Sequence, residues 1–108
     1  MKSMCVIIPA FNEELAIEKV IASIKEEFPV ATVLVIDDNS SDRTSFIANA
    51  AGAEVINLTN NLGIGGAVQT GLLYSRSKQF ELTIQVDGDG QHIANEIQKL
   101  IKKSLRIL

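Results

Sequence analysis

The chain has 108 residues, a net charge of −3 and 46% hydrophobic residues, which is typical of one globular domain. An acidic chain lacks the cationic field of a general nucleic-acid-binding protein, and no apolar run reaches the roughly 20 residues of a membrane-spanning helix. The single cysteine, Cys5, excludes internal disulfides and cysteine-based metal sites. Because the N-terminus lacks the pattern of a signal peptide, we expect a cytoplasmic protein.

Short apolar runs rich in β-branched residues predict β-strands. They are residues 5–8, 32–36, 54–56 and 82–86. Helical periodicity between and after them predicts helices at about 15–27, 41–51, 64–77 and from Ala94 onward. Asn12 is predicted to cap the first helix and Ser41 the second, while Gly52 should end the second.

The alternation of strands and helices predicts a single α/β domain over residues 1–108. Its sheet should be mostly parallel and twisted, with helices on both faces. The last predicted helix carries apolar side chains, among them Leu105 and Leu108, that the chain itself leaves uncovered. Two interpretations stay open, a domain cut short at Leu108, which we favour, and a small complete domain.

Each predicted strand is followed by a polar, acidic or glycine-rich loop. The loops are residues 9–14, 37–42, 60–66 and 87–92. Because the carboxyl ends of parallel strands lie at one edge of the sheet, where open sheets bind their ligands, we expect these loops to form one site.

Asp87 and Asp89 are the sharpest pair in these loops, since two carboxylates one residue apart at a strand exit can point the same way. With a diphosphate they suit Mg²⁺ or Mn²⁺, and Gln91 can add an oxygen ligand. An acidic β-turn is the alternative, and the spacing alone leaves both open. A calcium-binding EF-hand loop is excluded, because His92 and Gln98 occupy its sixth and twelfth positions.

Two other loops allow more than one interpretation. Asp37 and Asp38 can accept hydrogen bonds from a nucleobase or a ribose, but Asp-Asn-Ser-Ser is also favourable turn chemistry. Residues 63–66 can present backbone N–H groups to a phosphate, or allow close helix packing, as Gly71 also suggests. The segment is neither a P-loop nor a dinucleotide-binding fingerprint.

Four phrases in this order resemble the family 2 glycosyltransferases of the GT-A fold, particularly the branch of dolichyl-phosphate-mannose synthase. They are VIIPAFNEE, VIDDNSSDRT, NLGIGGA and QVDGDGQH, the last of which contains the D-x-D motif. The resemblance implies a metal-dependent, inverting transferase that moves a hexose from a UDP-, GDP- or dTDP-linked donor. The implied acceptor is a lipid phosphate or a saccharide, as in cell-wall or polysaccharide biosynthesis.

The resemblance also implies site residues. The implied nucleotide-sugar-binding residues are Pro9, Phe11, Glu13, Asp38 and Asp87, of which Asp38 would contact the base or the ribose. The implied metal ligands are Asp87, Asp89 and Gln91. Ile64 departs from the lysine that many relatives carry, which puts a phosphate or sugar contact of that loop in doubt. The catalytic base is not assigned and is expected beyond Leu108.

Other functional hypotheses remain. A non-catalytic nucleotide-binding module is the main alternative, whereas a nucleotidyltransferase is disfavoured because no basic, glycine-rich loop follows the first strand. We expect this chain to bind nucleotide and metal but to turn over poorly without an acceptor half. Its place would be the cytoplasm or the inner face of a membrane, and either a membrane surface or a second copy could complete its exposed edge.

Overall fold

A parallel β-sheet forms the centre of the computed structural model, which describes residues 3–88. The strands are β1 (Met4–Ala10), β2 (Thr32–Asp37), β3 (Glu54–Asn57) and β4 (Leu82–Gln85). The helices between them are α1 (Ile17–Glu27), α2 (Thr44–Ala50) and α3 (Gly63–Ser77). The strand order is β3-β2-β1-β4, which confirms the predicted α/β fold class.

The sheet is buried most deeply at β1, which pairs with both β2 and β4. All seven residues of β1 are buried, as expected for a central strand covered on both faces. In the register, Ile8 lies beside Val35 of β2, and Ile7 lies beside Gln85 of β4. The alternation of side chains along β1 therefore supplies two separate apolar cores.

Each face of the sheet has its own core. Helices α1 and α2 cover one face, where Val6 and Ile8 of β1 pack with the aliphatic stripe of α1. Helix α3 covers the other face, where Cys5 and Ile7 pack with Ala67. On this second face, burial raises the pKa of the Cys5 thiol to about 11.

Helix α3 approaches the sheet closely at Gly71. A Cβ atom at this position would lie 2.6 Å from Cγ2 of Ile7, well inside van der Waals contact. The close-packing interpretation is therefore confirmed for Gly71, because any side chain there would push α3 away from β1.

The two predicted N-caps are wrong. The N-cap of α1 is Ala16 and that of α2 is Arg43, and neither makes a side-chain capping bond. The side chain of Asn12 instead accepts a hydrogen bond from the backbone N–H of Ser41. The two expected caps therefore join the loop after β1 to the loop after β2. The predicted stop at Gly52 is confirmed by its φ of 94°, which favours glycine.

Several sequence-based expectations lie outside the described residues. They include the helix predicted from Ala94 and the apolar side chains near Leu108. Among residues 3–88, no helix combines the length and the apolar character needed to span a membrane.

Candidate functional site

The carboxyl ends of the strands border a cavity of about 260 Å³. It is lined by Pro9, Ala10, Phe11, Glu13, Asp38, Ile64, Ala67, Asp87 and Gly88. These residues come from β1 and the loop after it, the residue after β2, the first turns of α3 and the segment after β4. The structure thus brings together all five residues that the resemblance implies for nucleotide-sugar binding.

Pro9 shapes the floor of the cavity from within β1. The N–H of Val86 donates to the carbonyl of Ile7 at 2.9 Å, so Pro9, two residues further along β1, faces the same neighbour. Because proline has no N–H to donate, the pairing with β4 ends at Gln85, one residue earlier than predicted. The space beyond Gln85, between Pro9 and Asp87, is part of the cavity.

Gly88 brings the segment after β4 against the end of β1. A Cβ atom on Gly88 would lie 3.0 Å from the carbonyl oxygen of Pro9, which is closer than an ordinary contact, and 3.4 Å from Cγ of Glu13. The absence of a side chain lets this segment turn across the cavity, with Asp87 half-buried in its wall.

The cavity wall is acidic. Among the described residues that line it, Glu13, Asp38 and Asp87 are acidic and none is lysine or arginine. Such a wall repels a bare diphosphate but suits one that carries a divalent cation. Within residues 3–88, no cluster of three or more His, Cys, Asp or Glu side chains is arranged to hold a metal. Asp89 and Gln91, the other predicted ligands, lie outside the described residues.

Exposed apolar side chains also border the cavity. Phe11 is 48% exposed and Ile64 is 64% exposed, so both can still be covered by a ligand. Ile64 lies in the first turn of α3, and Ala67 follows it at the cavity wall. A ligand with one apolar face and one charged end matches this distribution of side chains.

The two aspartates that follow one another at the end of β2 hold different loops. The carboxylate of Asp37 accepts hydrogen bonds from the Ser40 N–H, at 2.9 Å, and from the hydroxyl of Ser45. The carboxylate of Asp38 accepts the N–H groups of Leu62 at 2.7 Å and Gly63 at 2.9 Å. The turn interpretation therefore applies to Asp37, whereas Asp38 binds the start of α3.

A network of hydrogen bonds joins the loop after β1 to the loop after β2. The N–H of Asn12 donates to the hydroxyl of Ser40, and the N–H of Glu13 donates to the hydroxyl of Thr44, both at 2.9 Å. The N–H of Glu14 donates to the carboxylate of Asp42 at 3.2 Å. This network fixes the backbone of Glu13 beside the cavity.

Thr44 is a site-supporting residue that sequence reasoning missed. It is fully buried, and its hydroxyl donates to the carboxylate of Asp42 while accepting from Glu13. Burial opposes ionisation of Asp42, but hydrogen bonds from Thr44 and Glu14 outweigh it and lower the pKa of that carboxyl. The spacing Asp-x-Thr was visible in the sequence, but its partner lies 31 residues away.

Comparisons with known proteins agree with the fold. The family model described as glycosyl transferase family 2 matches residues 5–106. The chain is 37% identical over 100 residues to an uncharacterized protein of Methanocaldococcus jannaschii, covering 93% of this chain and 41% of that protein. It is 29% identical over 101 residues to the undecaprenyl-phosphate mannosyltransferase of Micrococcus luteus, covering 89% of this chain and 42% of that protein.

A solved structure also matches the fold. It is the glucosyl-3-phosphoglycerate synthase of Mycobacterium tuberculosis in complex with Mn²⁺, UDP and phosphoglyceric acid. The TM-score is 0.68 at 29% identity, over 81% of this chain and 33% of that chain. This chain therefore spans about a third to two fifths of the length of these proteins.

Proposed function

Since this chain belongs to glycosyl transferase family 2, we propose that its cavity binds the nucleoside diphosphate part of a sugar donor. The protein then transfers a hexose from this donor, with inversion, to a lipid phosphate or a saccharide. The observation that carries the proposal is that Pro9, Phe11, Glu13, Asp38 and Asp87 line one cavity. They come from three different segments of the sequence, which the fold brings together.

The cavity has complementary parts for the two ends of such a donor. The exposed side chains of Phe11 and Ile64 can pack against a planar base or a sugar ring. The carboxylates of Glu13 and Asp87 form the charged part of the wall, where N–H and hydroxyl groups or a cation can bind. The UDP bound to the related synthase supports this class of ligand.

A divalent cation, Mg²⁺ or Mn²⁺, is part of the proposal. Asp87 fits it as a hard oxygen ligand at the cavity wall, and the acidic lining gives a diphosphate no other positive partner among the described residues. Asp89 and Gln91 are the further ligands that we propose. When bound, the ion stabilises negative charge on the departing nucleoside diphosphate.

The acceptor defines the partners of the whole protein. A lipid phosphate would bring the protein to the inner face of a membrane, and the name of the Micrococcus luteus relative supports this acceptor class. Flotation with vesicles that contain a polyprenyl phosphate measures this association, and vesicles without that lipid are the control. Association of two copies of the protein is the other proposed way of covering the exposed edge of the domain.

A thermal-shift panel with UDP-, GDP- and dTDP-sugars, each with and without Mn²⁺, tests the proposed function. One donor class should stabilise the chain by about 2.7 kcal/mol at a hundredfold excess over its Kd, and only with Mn²⁺. Asp87→Asn should remove most of this stabilisation, because it removes a cation ligand.

Glu18→Gln is the matched control, since it also exchanges a carboxylate for an amide, but Glu18 is exposed on α1 and is not among the lining residues. It should bind the donor like the unmodified chain. Stabilisation that does not depend on the metal would favour the non-catalytic nucleotide-binding module. No stabilisation by any donor would overturn both hypotheses.

A further inference from the structure

We propose that Asp38 is a positioning residue of the donor site, which acts by fixing the start of α3 at the cavity wall. This inference rests on the proposed function, that the cavity binds a nucleoside diphosphate. It adds to the role that the resemblance implies, in which Asp38 contacts the base or the ribose directly.

The carboxylate of Asp38 is already used by the backbone. One oxygen accepts the N–H of Leu62 at 2.7 Å and the other accepts the N–H of Gly63 at 2.9 Å. The side chain is also only 5% exposed, although the residue borders the cavity. Each carboxylate oxygen has a second lone pair, so these two bonds hold the start of α3 whether or not a ligand also contacts the side chain.

The two N–H groups that Asp38 accepts belong to the beginning of α3. The first N–H groups of a helix have no partner within the helix, and the helix dipole favours a negative charge beside them. Gly63 has a φ of 79°, a conformation in which the chain can turn into α3 above this carboxylate. Asp38 therefore fixes both the position and the direction of the first helical turn.

What Asp38 fixes is part of the cavity wall. Ile64 follows Gly63 directly, and Ala67 lies one turn further, and both line the cavity. The next fixed point on α3 is Gly71, in close contact with Ile7 of β1. Asp38 and Ile7 thus contact α3 at two points along its length. Without the hydrogen bonds from Asp38, the part of the cavity wall formed by Ile64 could move.

Asp37 provides a matched control at the neighbouring position. It is 4% exposed and its carboxylate also accepts two hydrogen bonds, from the N–H of Ser40 and the hydroxyl of Ser45. It is not among the described residues that line the cavity, and the loop that it holds leads into α2 instead of α3. The two residues thus differ mainly in which segment they fix.

The experiment compares Asp38→Asn with Asp37→Asn in the full 108-residue chain. Amide hydrogen exchange of Leu62 and Gly63 measures the fixing of α3 without ligand, and calorimetry measures the affinities for UDP and GDP in the presence of Mn²⁺. Asp38→Asn should speed exchange about tenfold at the amide that loses its acceptor, and less at the other, whose bond is weakened because the acceptor is no longer charged. Any nucleotide that the unmodified chain binds should be weakened by a similar factor. Asp37→Asn should leave both measurements within about twofold of the unmodified chain, after correction for the folded fraction.

Some outcomes would overturn the proposal. A loss of affinity for one nucleotide with unchanged amide exchange would show that Asp38 acts only by direct contact with the base. Equal losses in the two variants would show general destabilisation. If the unmodified chain binds neither nucleotide, the proposed function fails, while unchanged exchange in Asp38→Asn would separately overturn the fixing of α3.

A second variant covers the case in which Asp38→Asn does not fold. Asp38→Glu keeps the charge but moves the oxygens by one methylene group. It should give faster exchange at Leu62 and Gly63 together with weaker nucleotide binding. Unchanged exchange would contradict the proposal.

Discussion

The two faces of the sheet are covered in different ways. On one face, α1 buries large aliphatic side chains, namely Ile17, Val20, Ile21 and Ile24. On the other face, α3 buries only small residues, namely Ala67, Gly71 and Ser75. Large side chains remove more apolar area from water, whereas small residues let a helix come close to a strand. We therefore expect the first face to supply most of the stability and the second to determine the shape of the cavity.

The largest expected effect is on the face with large side chains. Ile21→Ala should lower the free energy of unfolding by about 2–5 kcal/mol, because it leaves a cavity in the core beside β1. Urea denaturation measures this change. Val30→Ala is the control, since Val30 is exposed and should change stability by less than about 0.5 kcal/mol. A change in nucleotide affinity per folded molecule in Ile21→Ala would break the proposed division between the faces.

A smaller effect on stability, but a larger one on the cavity, is expected at Gly71. Gly71→Ala places a Cβ atom 2.6 Å from Cγ2 of Ile7 and should cost about 1–3 kcal/mol. Since α3 must then move away from β1, nucleotide binding should weaken as well. Urea denaturation and calorimetry measure the two effects.

Two controls sharpen the Gly71 experiment. A Cβ atom on Gly65 meets nothing within 4 Å, so Gly65→Ala should stabilise the helix by about 0.5–1 kcal/mol. Ile7→Ala should relieve the clash, so the double variant with Gly71→Ala should be less destabilised than the sum of the single variants. An additive result would mean that the close approach at Gly71 does not matter.

The next expected effect concerns the loops beside the face covered by α1 and α2. Thr44→Val keeps the shape of the side chain but removes the acceptor for the Glu13 N–H, which should cost about 1–2 kcal/mol. Urea denaturation measures it, with the exposed Thr59→Val as a neutral control. A cost no greater than that of the control would show that the network between the loops is replaced by water.

The smallest expected effect is a titration on the face covered by α3. The hydroxyl of Tyr74 donates to the carboxylate of Glu54 in β3, and this bond raises the pKa of Tyr74 to about 12. Because the folded-state pKa lies above the unfolded one, this contribution to stability is complete below about pH 10 and is lost as the pH rises through the folded value.

Ultraviolet absorbance follows this titration without ambiguity, since Tyr74 is the sole tyrosine of the sequence. Glu54→Gln should move the pKa back towards the ordinary value. An unchanged titration curve in this variant would mean that Glu54 does not hold α3 to the edge of the sheet.

The sequence predicted the elements better than the contacts between them. The four strands could be predicted because short, β-branched runs are a local signal. The strand found at Leu82–Gln85 ends one residue earlier than predicted, where Pro9 of the neighbouring strand has no N–H to donate. The caps could not be predicted, because Asn12 and Ser41 bind each other across 29 residues instead of the ends of their own helices.

The candidate site shows the same difference between what local sequence predicts and what depends on tertiary contacts. That the loops after the strands would share one site follows from the parallel topology, and the cavity residues Glu13 and Asp87 do lie together. The different partners of Asp37 and Asp38 depend on tertiary contacts that two identical neighbouring residues do not reveal. Metal binding by Asp87, Asp89 and Gln91 stays a prediction.

The burial of Cys5 gives the molecule an internal reporter of its own opening. The thiol is fully buried in β1 under α3 and has a pKa of about 11, so at neutral pH it should be inert towards a thiol reagent while the sheet stays covered. Labelling must wait for α3 to separate from β1, and its rate counts those separations. Since Cys5 is the single cysteine, its labelling rate in the unmodified chain measures how often α3 separates from the sheet. The same rate shows whether a bound ligand slows this opening.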